Sequence, residues 1–173
     1  MICSILFCCL RCTNAAPDDD KRTKTVSSLD VNRYMGRWYE VARFDHRFER
    51  GLQAVYTNYS LKPDGTIRVV NAGRKGGVDG PLQEAVGRTK KLDPKNPGKL
   101  QVSFFLWFFG DYYILDLDHE NYSYAVIGSS SENYLWILSR TPQLPEARLA
   151  TILADLRERG YNTEKLIWVE HRK

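Results

Sequence analysis

At 173 residues, 43% hydrophobic and 27% charged, the chain has the material for one compact domain with a real core, and too little for two. Its net charge of +4 is modest and its basic residues are interspersed with acids, which argues against a nucleic-acid partner. All four cysteines, Cys3, Cys8, Cys9 and Cys12, precede Thr13, so the body of the chain holds neither a disulfide nor a cysteine metal site.

Residues 1–28 read as a leader followed by a polar linker: an apolar run, then small residues, then the charged stretch Asp18-Asp19-Asp20-Lys21-Arg22. Two outcomes fit this layout. One is a lipoprotein leader with the lipid on Cys9, which follows Leu6 at the minus-three offset, or on Cys12; the other is a secretory signal cleaved near Thr13-Asn14-Ala15. The domain proper is expected over 29–173.

Eight short segments rich in β-branched and aromatic residues follow: 38–44, 53–61, 66–73, 82–89, 99–105, 112–118, 122–128 and 134–139. Turn chemistry separates them, including Pro63-Asp64-Gly65, Gly76-Gly77-Val78-Asp79-Gly80 and Asp93-Pro94-Lys95-Asn96-Pro97-Gly98. Then comes a single strong helix signal. Pro145 suits the first helical position, Glu146 favours the positive end of the dipole, and Gly160 marks the stop. Leu149, Ile152, Leu153 and Leu156 form one apolar stripe, so this helix packs on something. A ninth short strand is expected over 165–170. The economical all-β solution is an eight-stranded antiparallel up-and-down barrel, which removes exposed edges, with the helix packed outside its wall.

At the start of the first strand, Gly36-Arg37-Trp38-Tyr39 resembles the lipocalin G-x-W-Y signature, and Trp136-Ile137-Leu138-Ser139-Arg140 resembles that family's closing motif. The similarity covers roughly Leu29 to Glu170 and is closer to the branch of bacterial outer-membrane lipocalins related to apolipoprotein D. The family's middle motif, usually Thr-Asp-Tyr, stands here as Glu132-Asn133-Tyr134. The resemblance implies a barrel closed at one end, with Gly36, Trp38 and Arg140 as closure residues. A planar guanidinium stacking on a large indole and donating to nearby carbonyls is a physical means to that end.

Alternation along the strands, matched with the resemblance, selects the inward side chains. These are Glu40 and Ala42 beside Trp38, then Thr57, Tyr59, Ile67, Val69, Asn71, Val102, Phe104, Tyr112, Ile114, Ala125 and Ile127, with Tyr134, Trp136 and Leu138 on the eighth strand. The expected ligand-binding set is Glu40, Thr57, Tyr59, Val69, Asn71, Phe104, Tyr112, Ile114, Ile127, Tyr134 and Trp136. The stretch Ser103–Tyr113, SFFLWFFGDYY, has seven aromatics in eleven residues, and its tip, Leu106 to Phe109, is expected as a greasy rim at the open end. Arg43, His46, Arg47 and Arg50 are expected to give the facing loop a basic character suited to carboxylate or phosphate.

No nucleophile elbow, zinc-protease helix, P-loop or dinucleotide fingerprint is present, and His46, His119 and His171 are far apart. The expected function is therefore binding and storage or transport of a fatty acid or lysophospholipid at the cell envelope, without metal or cofactor. Expected partners are the small hydrophobic ligand and a membrane surface, met through a lipid anchor or the Trp107–Phe109 rim, with the protein a monomer or homodimer. The location follows as a bacterial outer membrane or, alternatively, secretion. The competing readings are a lipid-modifying enzyme using Glu40 and Tyr112, and a membrane-surface maintenance factor.

Overall fold

Short strands joined by tight turns pair with their chain neighbours, and here that rule runs almost unbroken around a closed ring. The computed structural model describes residues 19–105 and 108–172; the four cysteines, Leu106 and Trp107 lie outside them. Its strands are β1 (Gly36–Phe44), β2 (Leu52–Leu61), β3 (Ile67–Lys75), β4 (Leu82–Thr89), β5 (Lys99–Phe105), β6 (Phe108–Leu117), β7 (Tyr124–Gly128), β8 (Leu135–Ser139) and β9 (Leu166–Trp168). The helices are α1 (Asp19–Thr23), α2 (Val31–Tyr34) and α3 (Glu146–Glu158). Each strand from β2 to β7 pairs antiparallel with the next. β1 then closes the barrel by pairing with both β8 and β2, and β9 adds to the far half of β1.

Two apolar layers result. Inside the barrel, Trp38, Tyr59, Ile67, Val69, Leu100, Ile114, Ala125, Ile127 and Leu138 belong to one cluster. Outside it, Ile152 and Leu156 of α3 pack with Val41, Ala42, Leu115, Val126, Leu135 and Ile137. This second layer explains why β7 and most of β8 are buried on both faces and read as near-continuous apolar runs. Pro145 serves as the N-cap of α3, with Glu146 its first helical residue.

Bulges set which side chains reach the interior. Between Glu40 and Ala42 the β1–β8 register slips by one, so Glu40 lies across from Leu138, whereas Ala42 meets Ile137 and Arg43 meets Trp136. Strict alternation from Trp38 placed Ala42 inside and Arg43 at the rim. The bulge reverses both: Ala42 joins the layer beneath α3, and Arg43, 1% exposed, turns into the barrel.

The polar stretch before residue 29 runs along the barrel surface. Val26 N–H donates to the Ile114 carbonyl at 3.0 Å, Arg22 to that of Ser130 at 2.8 Å, and Arg159 to that of Lys24 at 2.9 Å.

Candidate functional site

One end of the barrel is sealed by α2 and the start of β1. Asp30 caps α2 through bonds from the Asn32 and Arg33 amides, which fixes Tyr34 beneath the barrel. Trp38 is fully buried, and its indole N–H donates to the Tyr34 carbonyl at 2.8 Å. The Arg140 guanidinium lies 3.8 Å from the centre of the Trp38 ring. It donates to the carbonyls of Arg33 at 2.6 Å, Arg37 at 2.8 Å and Tyr122 at 3.2 Å, tying three segments together. Gly36 has φ of +91°, a conformation that leaves little place for another residue.

Just above this plug, three phenols meet. Tyr112 OH lies 2.6 Å from Tyr34 OH and 2.8 Å from Tyr59 OH. Burial pushes all three phenols above their ordinary range; for Tyr112 both neighbouring phenols push the same way, whereas for Tyr34 the Tyr59 phenol adds to burial and the bond with Tyr112 opposes it. Higher on the wall, Thr57 donates to Asn71 Oδ1 at 2.8 Å. Val69, Ile114 and Ile127 supply the apolar surface between these polar pairs.

The opposite end carries the loop 45–51 between β1 and β2. Arg43 Nη1 donates to Glu40 Oε1 at 2.6 Å, and its Nη2 to the carbonyls of Glu49 at 2.9 Å and Leu52 at 3.1 Å. Arg43 therefore anchors the loop's backbone from inside the barrel. Glu49 Oε2 accepts from Trp136 Nε1 at 3.0 Å. It also lies 2.9 Å from His46 Nε2, off the axis along which a ring N–H would donate. His46 packs against the rings of Trp136, Tyr134 and Phe48, with Tyr134 and Trp136 stacked at 14°.

The two carboxylates of this network are pushed apart. Burial, then the neighbouring Glu49, raises the Glu40 carboxyl well above its usual range despite Arg43. Burial would raise Glu49 too, but His46 and Trp136 beside it outweigh burial and bring the group below its usual range.

Of the residues expected to bind a ligand, Glu40 and Trp136 come together with Arg43, His46 and Glu49. Thr57 joins Asn71, and Tyr59 joins Tyr112. Phe104 stands apart, 43% exposed, its ring over the inner face of β4 where a Cβ on Gly87 would meet it at 2.7 Å. Glu40 and Tyr112 bond to different partners, Glu40 to Arg43 and Tyr112 to two tyrosines. The expected basic rim needs correction as well: Arg47 and Arg50 are exposed, whereas Arg43 and His46 are buried. At the rim, Phe48 and Phe108 are 67% and 76% exposed.

Tyr34 and Glu49 escaped the sequence reading. Tyr34 lies outside the strands, so alternation has nothing to say of it. Glu49 sits in a loop whose inward fold depends on the bulge that turns Arg43.

The lipocalin-like domain family matches residues 29–171. An outer membrane lipoprotein, Blc, from Vibrio cholerae is 40% identical over 170 residues, covering 98% of this chain and 95% of the relative. Mouse apolipoprotein D is 34% identical over 147 residues, covering 80% and 75%. Among solved structures, the cockroach allergen Per a 4 shares the fold with a TM-score of 0.68 at 18% identity, covering 86% of this chain and 92% of that one.

Proposed function

The chain belongs to the lipocalin family, and on that premise we propose that its barrel stores or carries a single-chain lipid, a fatty acid or lysophospholipid, at the bacterial envelope. The observation that carries the reading is the asymmetry of the barrel: one end is sealed by Trp38 and Arg140, while the other ends in a loop held by side chains from inside. An acyl chain lies along Val69, Ile114 and Ile127, with the phenols of Tyr59 and Tyr112 deeper in the barrel and Thr57 and Asn71 nearer its mouth. Glu40, Tyr134 and Trp136 stand near the entrance, with Phe104 at its lip. Each buried methylene contributes on the order of 0.8 kcal/mol before the costs of binding, so micromolar affinity is within reach of an ordinary acyl chain.

The Vibrio cholerae relative is named an outer membrane lipoprotein. By that likeness this chain works at the outer membrane, held by a lipid on Cys9 or Cys12. The rim adds a weaker contact. Phe48 faces solvent on the same loop as Arg47 and Arg50, and Phe108 is exposed at the start of β6, a mixture of rings and cations suited to a bilayer surface with anionic headgroups.

Native mass spectrometry of the protein purified from its own membranes tests the reading. A bound lipid of unaltered mass supports a carrier. An altered lipid supports the enzyme reading, and no lipid at all leaves a surface factor.

A further inference from the structure

The mouth network is incomplete in a particular way. Arg43 Nε and His46 Nδ1 are buried without a hydrogen-bond partner in residues 1% and 8% exposed, and His46 Nε2 meets Glu49 Oε2 at 2.9 Å only off the axis of a ring N–H. Buried donors are ordinarily satisfied, and leaving one unmet costs on the order of 1–3 kcal/mol. Both side chains border Glu49: Arg43 bonds its backbone carbonyl and the Glu40 carboxylate, while His46 lies against the Glu49 carboxylate that Trp136 also bonds. Arg43 and Trp136 are register partners on the inward face of β1 and β8, so the group faces the barrel interior.

Resting on the reading of the barrel as a lipid carrier, we propose that the Glu49 carboxylate is a built-in stand-in for the anionic headgroup of the ligand. A lipid carboxylate or phosphate displaces the Glu49 side chain and takes the donors of Trp136, His46 and Arg43. Glu49 is suited to this exchange because its two halves are held separately. Its carbonyl is fixed by Arg43 Nη2 at 2.9 Å, while its side chain alone reaches Trp136. Displacement therefore needs a rotamer change and leaves the loop backbone in place. The released carboxylate has a destination, since Arg47 and Arg50 on the same loop face solvent. The incoming headgroup gains what Glu49 lacks, an approach to the unmet Nε of Arg43 and Nδ1 of His46. An intramolecular competitor of this kind keeps a buried cationic group from standing empty between ligands, and it sets a selectivity: neutral lipids cannot replace the carboxylate they expel.

The test compares a saturated fatty acid with the fatty alcohol of the same chain length, each competing for a fluorescent probe, in the wild type, Glu49→Gln and Trp136→Phe. Glu49→Gln keeps the shape and removes the competing charge. Trp136→Phe keeps an aromatic ring and removes the indole N–H. The proposal expects Glu49→Gln to bind the acid several-fold more tightly, with the alcohol nearly unchanged. It expects Trp136→Phe to weaken acid binding by about tenfold, the scale of one hydrogen bond to a charge, again sparing the alcohol. If acid and alcohol gain together in Glu49→Gln, the loop is only a steric lid and the proposal falls. It also falls if both lipids bind and neither substitution separates them, or if Glu49→Gln weakens the acid. If neither lipid binds in any variant, the carrier reading falls first and takes this one with it.

Discussion

Arg140 and Arg43 occupy opposite ends of the same barrel, and each uses its guanidinium to hold backbone carbonyls. Arg140 stacks on a buried indole and meets three carbonyls, each in a different segment. Arg43 meets two carbonyls and a carboxylate, yet keeps one buried N–H unmet, next to a histidine whose Nδ1 is unmet and whose Nε2 touches Glu49 only off axis. A finished network stabilises a fold, whereas an unfinished one marks where something else belongs. The difference separates the residues that hold the barrel shut from those available to a ligand.

The comparison breaks most visibly if the closed end proves dispensable. Trp38→Ala deletes a fully buried indole and is expected to lower stability by about 3–5 kcal/mol, read from the urea midpoint. Arg140→Ala leaves carbonyls without donors, for a loss of about 2 kcal/mol. Lipid affinity per folded molecule should be nearly intact in the arginine variant. Equal stability with weakened binding would reverse the roles assigned to the two ends.

The tyrosine cluster between the ends gives a smaller effect with a definite pH sign. Burial raises the phenols of Tyr34, Tyr59 and Tyr112 above the value of about 10 they have when unfolded. A raised folded value means their contribution is fully present below pH 10 and lost as pH climbs above it, because only the unfolded chain then ionises. Tyr112→Phe should cost about 1 kcal/mol at neutral pH and make the alkaline loss of stability less steep. Urea midpoints measured across the alkaline range check both, and an unchanged slope would mean that the phenols titrate freely.

The smallest effect on stability belongs to the rim. Phe48→Ser with Phe108→Ser changes exposed rings and should leave stability within about 0.5 kcal/mol, while reducing retention on vesicles rich in anionic lipid. Unchanged retention would remove the membrane contact assigned to these residues.

The contrast between the ends also explains what could be read from the chain alone. Gly36, Trp38 and Arg140 were legible because they form compact motifs, and the strands were legible because turn residues punctuate them. The apolar stripe of Leu149, Ile152, Leu153 and Leu156 announced a packed helix, and Ile152 and Leu156 are its buried members. The open end was less legible, because its geometry depends on a one-residue register slip after Glu40. Alternation carries no mark of such a slip, so Arg43 read as a rim cation and Ala42 as an inward residue. Tyr34 was hidden for a different reason: it reaches the phenol cluster from α2, outside any strand.

The central claim is that a ligand enters at the Trp136 end and leaves the Trp38 end undisturbed. Each indole N–H reports on one end, since Trp136 donates to Glu49 and Trp38 to the Tyr34 carbonyl. The direct measurement is a fatty-acid titration followed by the indole N–H signals in a proton–nitrogen correlation spectrum, assigned with Trp136→Phe and Trp38→Phe. The account predicts that the Trp136 signal moves saturably with added lipid while the Trp38 signal stays in place. A Trp38 signal that moves as far, or a Trp136 signal that does not move while lipid binds, would contradict it.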